Sequence, residues 1–194
     1  MANEPIFSGY LNKIRIKVSN YLKICYYAVN LDQCNQLSMN PKFHIYQNSP
    51  LSLIIEHILQ RYHEVHRQQF ANILPLAGAC SEYADFPSDL LSFLQTFAQD
   101  LENHLQKEEQ VLFPLINAGR GQMATMPVRV MMMEHDNHQA SLSQLSDLTN
   151  DLTLPENAAG NWRQLYEILQ QFRDDLLDHI DIENELLFPR ALNE

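Results

Sequence analysis

The sequence predicts an all-α protein, an up-down-up-down four-helix bundle that follows a small helical N-terminal segment. Three observations lead to this prediction. Four stretches place apolar residues at alternating steps of three and four, which is the spacing of one helix face. Short segments containing proline or glycine separate the stretches, as expected between antiparallel helices of a bundle. The last two stretches also repeat the pattern of the first two.

Residues 1–48 form the predicted N-terminal segment, for which two local structures compete. A helix is favoured by the spacing of Leu11, Ile14, Val18, Leu22 and Cys25. A strand is indicated by the alternation of Ile14, Ile16 and Val18 with basic residues. Polar residues and Pro41 then predict a linker over Asp32–Ser49, so that the bundle occupies residues 49–194.

The first bundle helix is predicted from Ser49 to about Leu74. Serine suits an N-cap, and Pro50 suits the first helical position. Its buried face consists of Leu59, His63, His66, Phe70 and Ile73. We expect this helix to end before Pro75, because proline removes a backbone donor from a helix interior.

The second helix follows Gly78 and Pro87. Its predicted buried face consists of Leu90, Leu94, Phe97, Leu101, His104, Glu108, Val111 and Leu115. After Gly119 and Gly121, the third helix restarts at Thr125. Its face consists of Val128, Met131, His135, His138, Leu142 and Leu145. The fourth helix follows Pro155 and Gly160, with a face of Leu165, Leu169, Phe172, Leu176, His179, Glu183 and Leu186.

One motif, HxxxExxxLFP, occurs twice. It begins at His104 in the second helix and at His179 in the fourth. Residues four apart lie on the same helix face, so each copy can present an imidazole and a carboxylate to one ion. A further histidine precedes each copy, His63 by 41 residues and His135 by 44.

Six polar residues therefore face the predicted bundle interior. They are His63, His104, Glu108, His135, His179 and Glu183. Buried imidazoles and carboxylates are costly unless something satisfies them, and a pair of divalent ions would satisfy all six. Four imidazoles and two carboxylates without a thiolate suit iron or manganese better than zinc. If both carboxylates bridge, each ion receives two histidines and keeps open positions for water, oxygen or nitric oxide.

These residues give the chain a resemblance to the iron-sulfur cluster repair di-iron proteins, the repair-of-iron-centres family, whose C-terminal part is a hemerythrin-like bundle. The matching segments are Arg61–Arg67, His104–Pro114, Glu134–Asp136 and Asp178–Ala191. The resemblance implies two iron ions, bound by the four histidines, with Glu108 and Glu183 bridging. It also implies a stress-response role in restoring clusters damaged by nitric oxide or oxidants.

The chain departs from this family at its N terminus. Family members carry an adjacent cysteine pair followed by glycine, whereas Cys25 and Cys34 are nine residues apart here and Asn35 follows the second. The N-terminal segment is therefore degenerate relative to the family module. The role of that module does not carry over to this chain.

The composition restricts the location and the partners. The net charge of −11 would repel a phosphate backbone, so nucleic acid is not an expected partner. Three widely spaced cysteines suit free thiols in a reducing compartment. No signal peptide and no long apolar run are evident, which predicts a cytoplasmic protein that does not enter a membrane. A homodimer is an expectation from the resemblance alone.

The sequence leaves the type of activity open. Iron donation to damaged iron-sulfur proteins, without catalysis, is favoured over nitric oxide reduction, because no flavin or redox-cysteine motif would supply electrons. The alternative function is a hemerythrin-like protein that binds or senses oxygen or nitric oxide. His66 and His138 could each be a further ligand, but a role in supporting the site or the packing is favoured. Glu109 is expected to face solvent. For Glu134 two interpretations stay open: it orients its sequence neighbour His135, or it is solvated at the start of the helix.

Overall fold

The computed structural model describes residues 40–156, 158 and 160–194. These residues form four long helices and contain no strand, which confirms the predicted all-α bundle. Each long helix packs against its neighbours in sequence, and the first also packs against the fourth. The described part of the chain has no helix long and apolar enough to cross a membrane.

Helix α1 consists of Leu51–Ile58, a π-helical turn at Leu59–His63, and Glu64–Cys80. Pro50 is its N-cap, one position later than the predicted Ser49. The predicted end near Leu74 is wrong, since the helix continues through Pro75. Pro75 is exposed, and so is Ala71, whose carbonyl group loses its donor, so this side of the helix faces solvent and tolerates the loss.

Helix α2 consists of Leu90–Lys107, a π-helical turn at Glu108–Leu112, and Phe113–Asn117. The chain leaves the helix after Asn117, and Gly119 then adopts a φ of +67°, which glycine tolerates readily. A 3₁₀ turn at Gly121–Ala124 then leads into helix α3, Thr125–Thr149. Helix α3 ends at Asn150 in the left-handed conformation.

Helix α4 consists of Gly160–Ile182, a π-helical turn at Glu183–Leu187, and Phe188–Asn193. The predicted start of α3 at Thr125 agrees with the structure, whereas α4 was predicted to follow Gly160 and in the structure begins at that residue.

The chain just before α1 packs on the bundle. A 3₁₀ helix at Pro41–Tyr46 lies within the predicted linker. Its Phe43 is buried, and the Nζ of Lys42 lies 2.7 Å from a carboxylate oxygen of Asp178 in α4. Arg190 donates a hydrogen bond of 2.7 Å to the carbonyl oxygen of Ser49. The N-terminal cysteines, Cys25 and Cys34, lie outside the described residues, and the division of the chain near residue 49 stays a prediction.

The apolar core fills one part of the bundle and borders the polar centre. Phe70 of α1, Phe97 of α2 and Phe172 of α4 pack with their ring centres 4.8–6.1 Å apart. Phe113 and Phe188, from the two LFP motifs, contact the histidine rings of His63 and His135. The polar centre therefore lies between aromatic side chains, in surroundings of low polarity.

Candidate metal centre

All three π-helical turns contain a residue of the predicted site. The first turn ends at His63, and the other two begin at Glu108 and Glu183. In the second, the N–H of Phe113 donates to the carbonyl of Glu108, five residues back. Proline at the next position, in both LFP motifs, lacks an N–H and clashes with the carbonyl group four residues earlier in a regular helix. The wider turn relieves this clash, and π turns are frequent at functional sites.

The π turn changes which residues are buried after Glu108. Val111, predicted on the buried face, is 50% exposed, whereas Leu112 and Phe113 are buried. The extra residue in the turn rotates the rest of the helix relative to the face that holds His104 and Glu108. The prediction for Val111 was wrong because it assumed a regular α-helical period.

The structure brings all six predicted residues together in two overlapping groups. In one group the possible ligand atoms come from His63, His179, Glu108 and Glu183. In the other they come from His104, His135 and the same two glutamates. Within each group these atoms lie within 4.8 Å of one another, and every residue is buried. Two ion positions that share two carboxylates therefore fit the arrangement.

The Nε2 atoms of the four histidines face the carboxylates. The Nε2 of His63 is 3.3 Å from an oxygen of Glu108, and that of His179 is 3.4 Å from an oxygen of Glu183. In the other group the Nε2 of His135 is 3.2 Å from an oxygen of Glu183. The Nε2 of His104 is 3.5 Å from Glu108. Each imidazole thus presents the same nitrogen to the centre.

Within the part of the chain that the structure describes, neither glutamate side chain has a hydrogen-bond partner. Both carboxylate oxygens of Glu108, and both of Glu183, are buried and accept no hydrogen bond, and the Nε2 atoms of His63 and His179 are also unpartnered. An unpaired buried carboxylate loses its hydration with nothing in exchange, which costs several kcal/mol or more. Cations bound between the imidazoles and the carboxylates would remove this cost, so the donor atoms present fit a metal centre.

Three of the four histidines have a hydrogen-bond acceptor at the outer nitrogen, Nδ1. The Nδ1 of His63 lies 2.8 Å from Glu109, and that of His104 lies 3.0 Å from Glu134. The Nδ1 of His135 lies 2.9 Å from the side-chain oxygen of Asn184. Such contacts fix the tautomer so that Nε2 offers its lone pair inward, as is usual for histidines that bind metals.

Basic side chains in turn anchor two of these acceptors. Arg67 donates to Glu109 at 2.9 Å, and Lys107 donates to Glu134. The expectation that Glu109 faces solvent was wrong. Glu134 contacts His104 across the bundle, which neither of the two interpretations of this residue anticipated. Sequence spacing could indicate the six central residues, but these outer contacts join different helices and leave no periodic signal.

The pKa values of the two glutamates are shifted in opposite directions, because the neighbouring histidines outweigh burial only at Glu183. Burial, and next the charge of Glu183, raise the pKa of Glu108 to about 8. Burial would also raise the pKa of Glu183, but the neighbouring His179 and His135 hold it well below the usual range. For His63, burial lowers the pKa, and contacts with Glu108 and Glu109 more than offset it, raising it to about 9.

His66 and His138 lie next to the centre but belong to neither group of possible ligands. The ring of His66 is centred 5.4 Å from that of His179, and the ring of His138 is centred 4.8 Å from that of His104. His57 belongs to neither group, and its Nδ1 lies 3.0 Å from the hydroxyl oxygen of Tyr46.

The fold and the centre define a class: a four-helix bundle with a histidine and carboxylate cation site. A family model described as the hemerythrin HHE cation binding domain matches residues 54–191. The chain is 42% identical over 153 residues to the iron-sulfur cluster repair protein DnrN of Neisseria gonorrhoeae, covering 78% of this chain and 98% of that protein.

Two further relatives are named iron-sulfur cluster repair protein YtfE. The protein of Citrobacter koseri is 39% identical over 161 residues, covering 81% of this chain and 73% of the relative. That of Escherichia coli K12 is 40% identical over 151 residues, covering 76% and 69%. The chain thus belongs to the hemerythrin HHE family and, within it, to the iron-sulfur cluster repair proteins, which confirms the resemblance found in the sequence.

Proposed function

We propose that the buried centre binds two iron ions and that the protein restores iron-sulfur clusters damaged by nitrosative or oxidative stress. In this proposal His63 and His179 bind one ion, His104 and His135 bind the other, and Glu108 and Glu183 bridge both. The observation that supports it most is the set of four buried carboxylate oxygens without hydrogen bonds, enclosed by imidazole nitrogens.

The donor set favours iron among the available metals. Imidazole and carboxylate suit iron, whereas a structural zinc site would be tetrahedral and is most often built with cysteine. Iron bound in this way supplies redox chemistry and the binding of small ligands such as oxygen or nitric oxide. The role in repair follows from membership of a group of proteins that carry that name.

The residues of the chain have separate tasks in this proposal. Glu108 and Glu183 balance the charge of the ions, and the outer partners hold three imidazoles in the tautomer that exposes Nε2. Apolar side chains such as Phe113 and Phe188 limit the access of water to the centre. Iron serves here as cargo for damaged iron-sulfur proteins in the cytoplasm, and the protein need not act as an enzyme.

A repair assay tests this function. Iron-loaded protein would be added anaerobically to a purified iron-sulfur enzyme that nitric oxide has inactivated. We expect recovery of enzyme activity well above that given by the same amount of free ferrous iron and thiol, and no such gain with Glu108→Gln. Equal recovery with free iron would contradict the proposal. An oxygen- or nitric-oxide-dependent absorption spectrum without any recovery would favour the carrier or sensor function.

A further inference from the structure

His179 differs from the other three histidines of the centre at its outer nitrogen. The Nδ1 of His179 is buried and has no hydrogen-bond partner, whereas the outer nitrogens of His63, His104 and His135 each have one. The Nε2 of His179 faces Glu183 at 3.4 Å. If Nε2 binds a cation through its lone pair, Nδ1 must carry the proton, and a buried N–H needs an acceptor.

His66 also has one ring nitrogen without a hydrogen-bond partner. It is fully buried, its Nδ1 lies 3.1 Å from the side-chain oxygen of Gln69, and its Nε2 has no hydrogen-bond partner. The role of this imidazole depends on whether Nε2 carries a proton or a lone pair. The contacts of Gln69 decide between the two forms.

A chain of contacts fixes the tautomer of His66. The amide nitrogen of Gln69 donates at 2.7 Å to Asp175, whose other oxygen accepts from Arg61 at 2.6 Å. An ionised carboxylate only accepts hydrogen bonds, so the amide nitrogen must face Asp175 and the amide oxygen must face His66. The Nδ1 of His66 therefore donates, and its Nε2 is left with a lone pair. Burial lowers the pKa of His66 well below its usual value, in keeping with a neutral ring.

The two unpartnered nitrogens lie on neighbouring rings. The ring centres of His66 and His179 are 5.4 Å apart with an angle of 35° between the planes, so a direct hydrogen bond or one bridging water can join them. We propose that His66 is the outer partner of His179: its Nε2 accepts the Nδ1 proton of His179, directly or through one water. His66 is then a positioning residue, anchored through Gln69 and Asp175 to Arg61.

This inference rests on the proposed metal centre and assigns one further residue to one of its two ions. Loss of an outer partner typically weakens metal binding about 10–100-fold. The effect should be confined to the ion held by His63 and His179, because His104 and His135 have their own outer partners, Glu134 and Asn184.

The test measures iron loss to an excess of chelator from the anaerobic, iron-loaded full chain. In His66→Leu, one of the two ions should leave about 10–100-fold faster while the other leaves at the wild-type rate. His66→Gln should restore slow loss, since an amide can donate to Gln69 and accept from His179. The matched control is His138→Leu, which removes a buried histidine beside His104 without removing an outer partner. Equal effects of the two leucine variants, or no rescue by His66→Gln, would overturn the proposal.

A second measurement decides the tautomers independently of iron. ¹⁵N NMR of the histidine side chains, in the metal-free and the zinc-loaded protein, should show His66 neutral and protonated on Nδ1. Protonation on Nε2 would refute the inference even if two iron ions bind. A wild-type protein that binds fewer than two ions would instead contradict the proposed function, and the NMR result would still decide the role of His66.

Discussion

Glu108 and Glu183 lie on different helices, meet in the same buried centre, and have pKa values displaced in opposite directions. Two carboxylates that share one site without a cation cannot both stay ionised at low cost, so one tends to hold a proton. Cations between them would remove that competition. We therefore expect that replacing either glutamate weakens metal binding more than replacing any single histidine.

Replacing either of the two proposed bridging residues should lower the content of both ions. Glu108→Gln and Glu183→Gln each remove one negative charge that both ions share, so we expect fewer than one metal ion per chain after anaerobic purification. Elemental analysis of the purified variants measures this. The control is Glu64→Gln, since Glu64 is exposed and bonds only to Gln68, one turn further along the same helix.

In the same analysis His66→Ala should keep nearly the full amount of metal at saturating iron, because His66 supports a ligand and is not itself one. A loss equal to that of Glu108→Gln would place His66 among the ligands. If a glutamate variant lost only one of its two ions, that result would argue against a carboxylate that bridges both.

Metal removal should make stability fall as pH rises from about 6.5 to about 9. The folded-state pKa of Glu108 is raised to about 8, so the folded, metal-free protein holds a proton that the unfolded chain releases. The pKa of His63 is raised to about 9. The stability that this residue contributes is fully present below about pH 6.5 and is lost as pH rises through about 9. The lowered pKa values of His104 and His138 make stability rise with pH, but only below about pH 6.5.

The midpoint of thermal unfolding, Tm, followed by circular dichroism across this pH range, measures the effect. Each kcal/mol lost should lower Tm by about 2–4 °C for a chain of this size. Metal-free Glu108→Gln should show a shallower decline, because glutamine does not titrate. A flat profile for the metal-free wild type would mean that the two groups do not hold their protons as described.

The contact between Glu109 and His63 should strengthen the binding of one ion. Glu109→Ala removes the acceptor at 2.8 Å from Nδ1, and we expect about 10–100-fold weaker binding of the ion held by His63. A competitive chelator titration measures this affinity. Glu102→Ala is the matched control, because Glu102 also pairs with Arg67 but does not contact a histidine of the centre. Similar losses in both variants would attribute the effect to Arg67 instead.

The sequence predicted the bundle and the composition of its centre because both depend on periodic spacing. Helical steps of three and four placed His104 and Glu108 on one face, and the repeated motif pointed to His179 and Glu183 in the same way. The continuation of α1 through Pro75 was missed, because whether a helix tolerates proline depends on the exposure of a carbonyl group, which is a property of the folded protein.

The contacts between helices could not be predicted in this way. Glu134 contacts His104, and Asn184 contacts His135. The two residues of each pair lie on different helices, so no helical spacing in the sequence relates them. The π turns were also missed, although proline in both LFP motifs is a signal that could have indicated the two turns that begin at Glu108 and Glu183. That signal explains why Val111 is exposed and Leu112 is buried.

Among the four described glycines, Gly121 is the one at which an added methyl group would meet the closest neighbour. A Cβ at this position would overlap the carbonyl oxygen of Ala191, a backbone atom near the end of α4 that cannot move without shifting that helix. We expect Gly121→Ala to destabilise the protein by about 1–3 kcal/mol, the usual cost of overpacking, and to speed metal loss, because Glu183 lies on the same helix.

Thermal unfolding and iron release of Gly121→Ala, compared with those of Gly78→Ala, test this expectation. Gly78 lies within α1, and a Cβ there would meet nothing within 4 Å, so alanine should be neutral or stabilise by about 0.5–1 kcal/mol. A Gly121→Ala variant as stable as the wild type would show that the end of α4 moves freely over the 3₁₀ turn. The packing of Ala191 on Gly121 would then have no part in holding Glu183 at the centre.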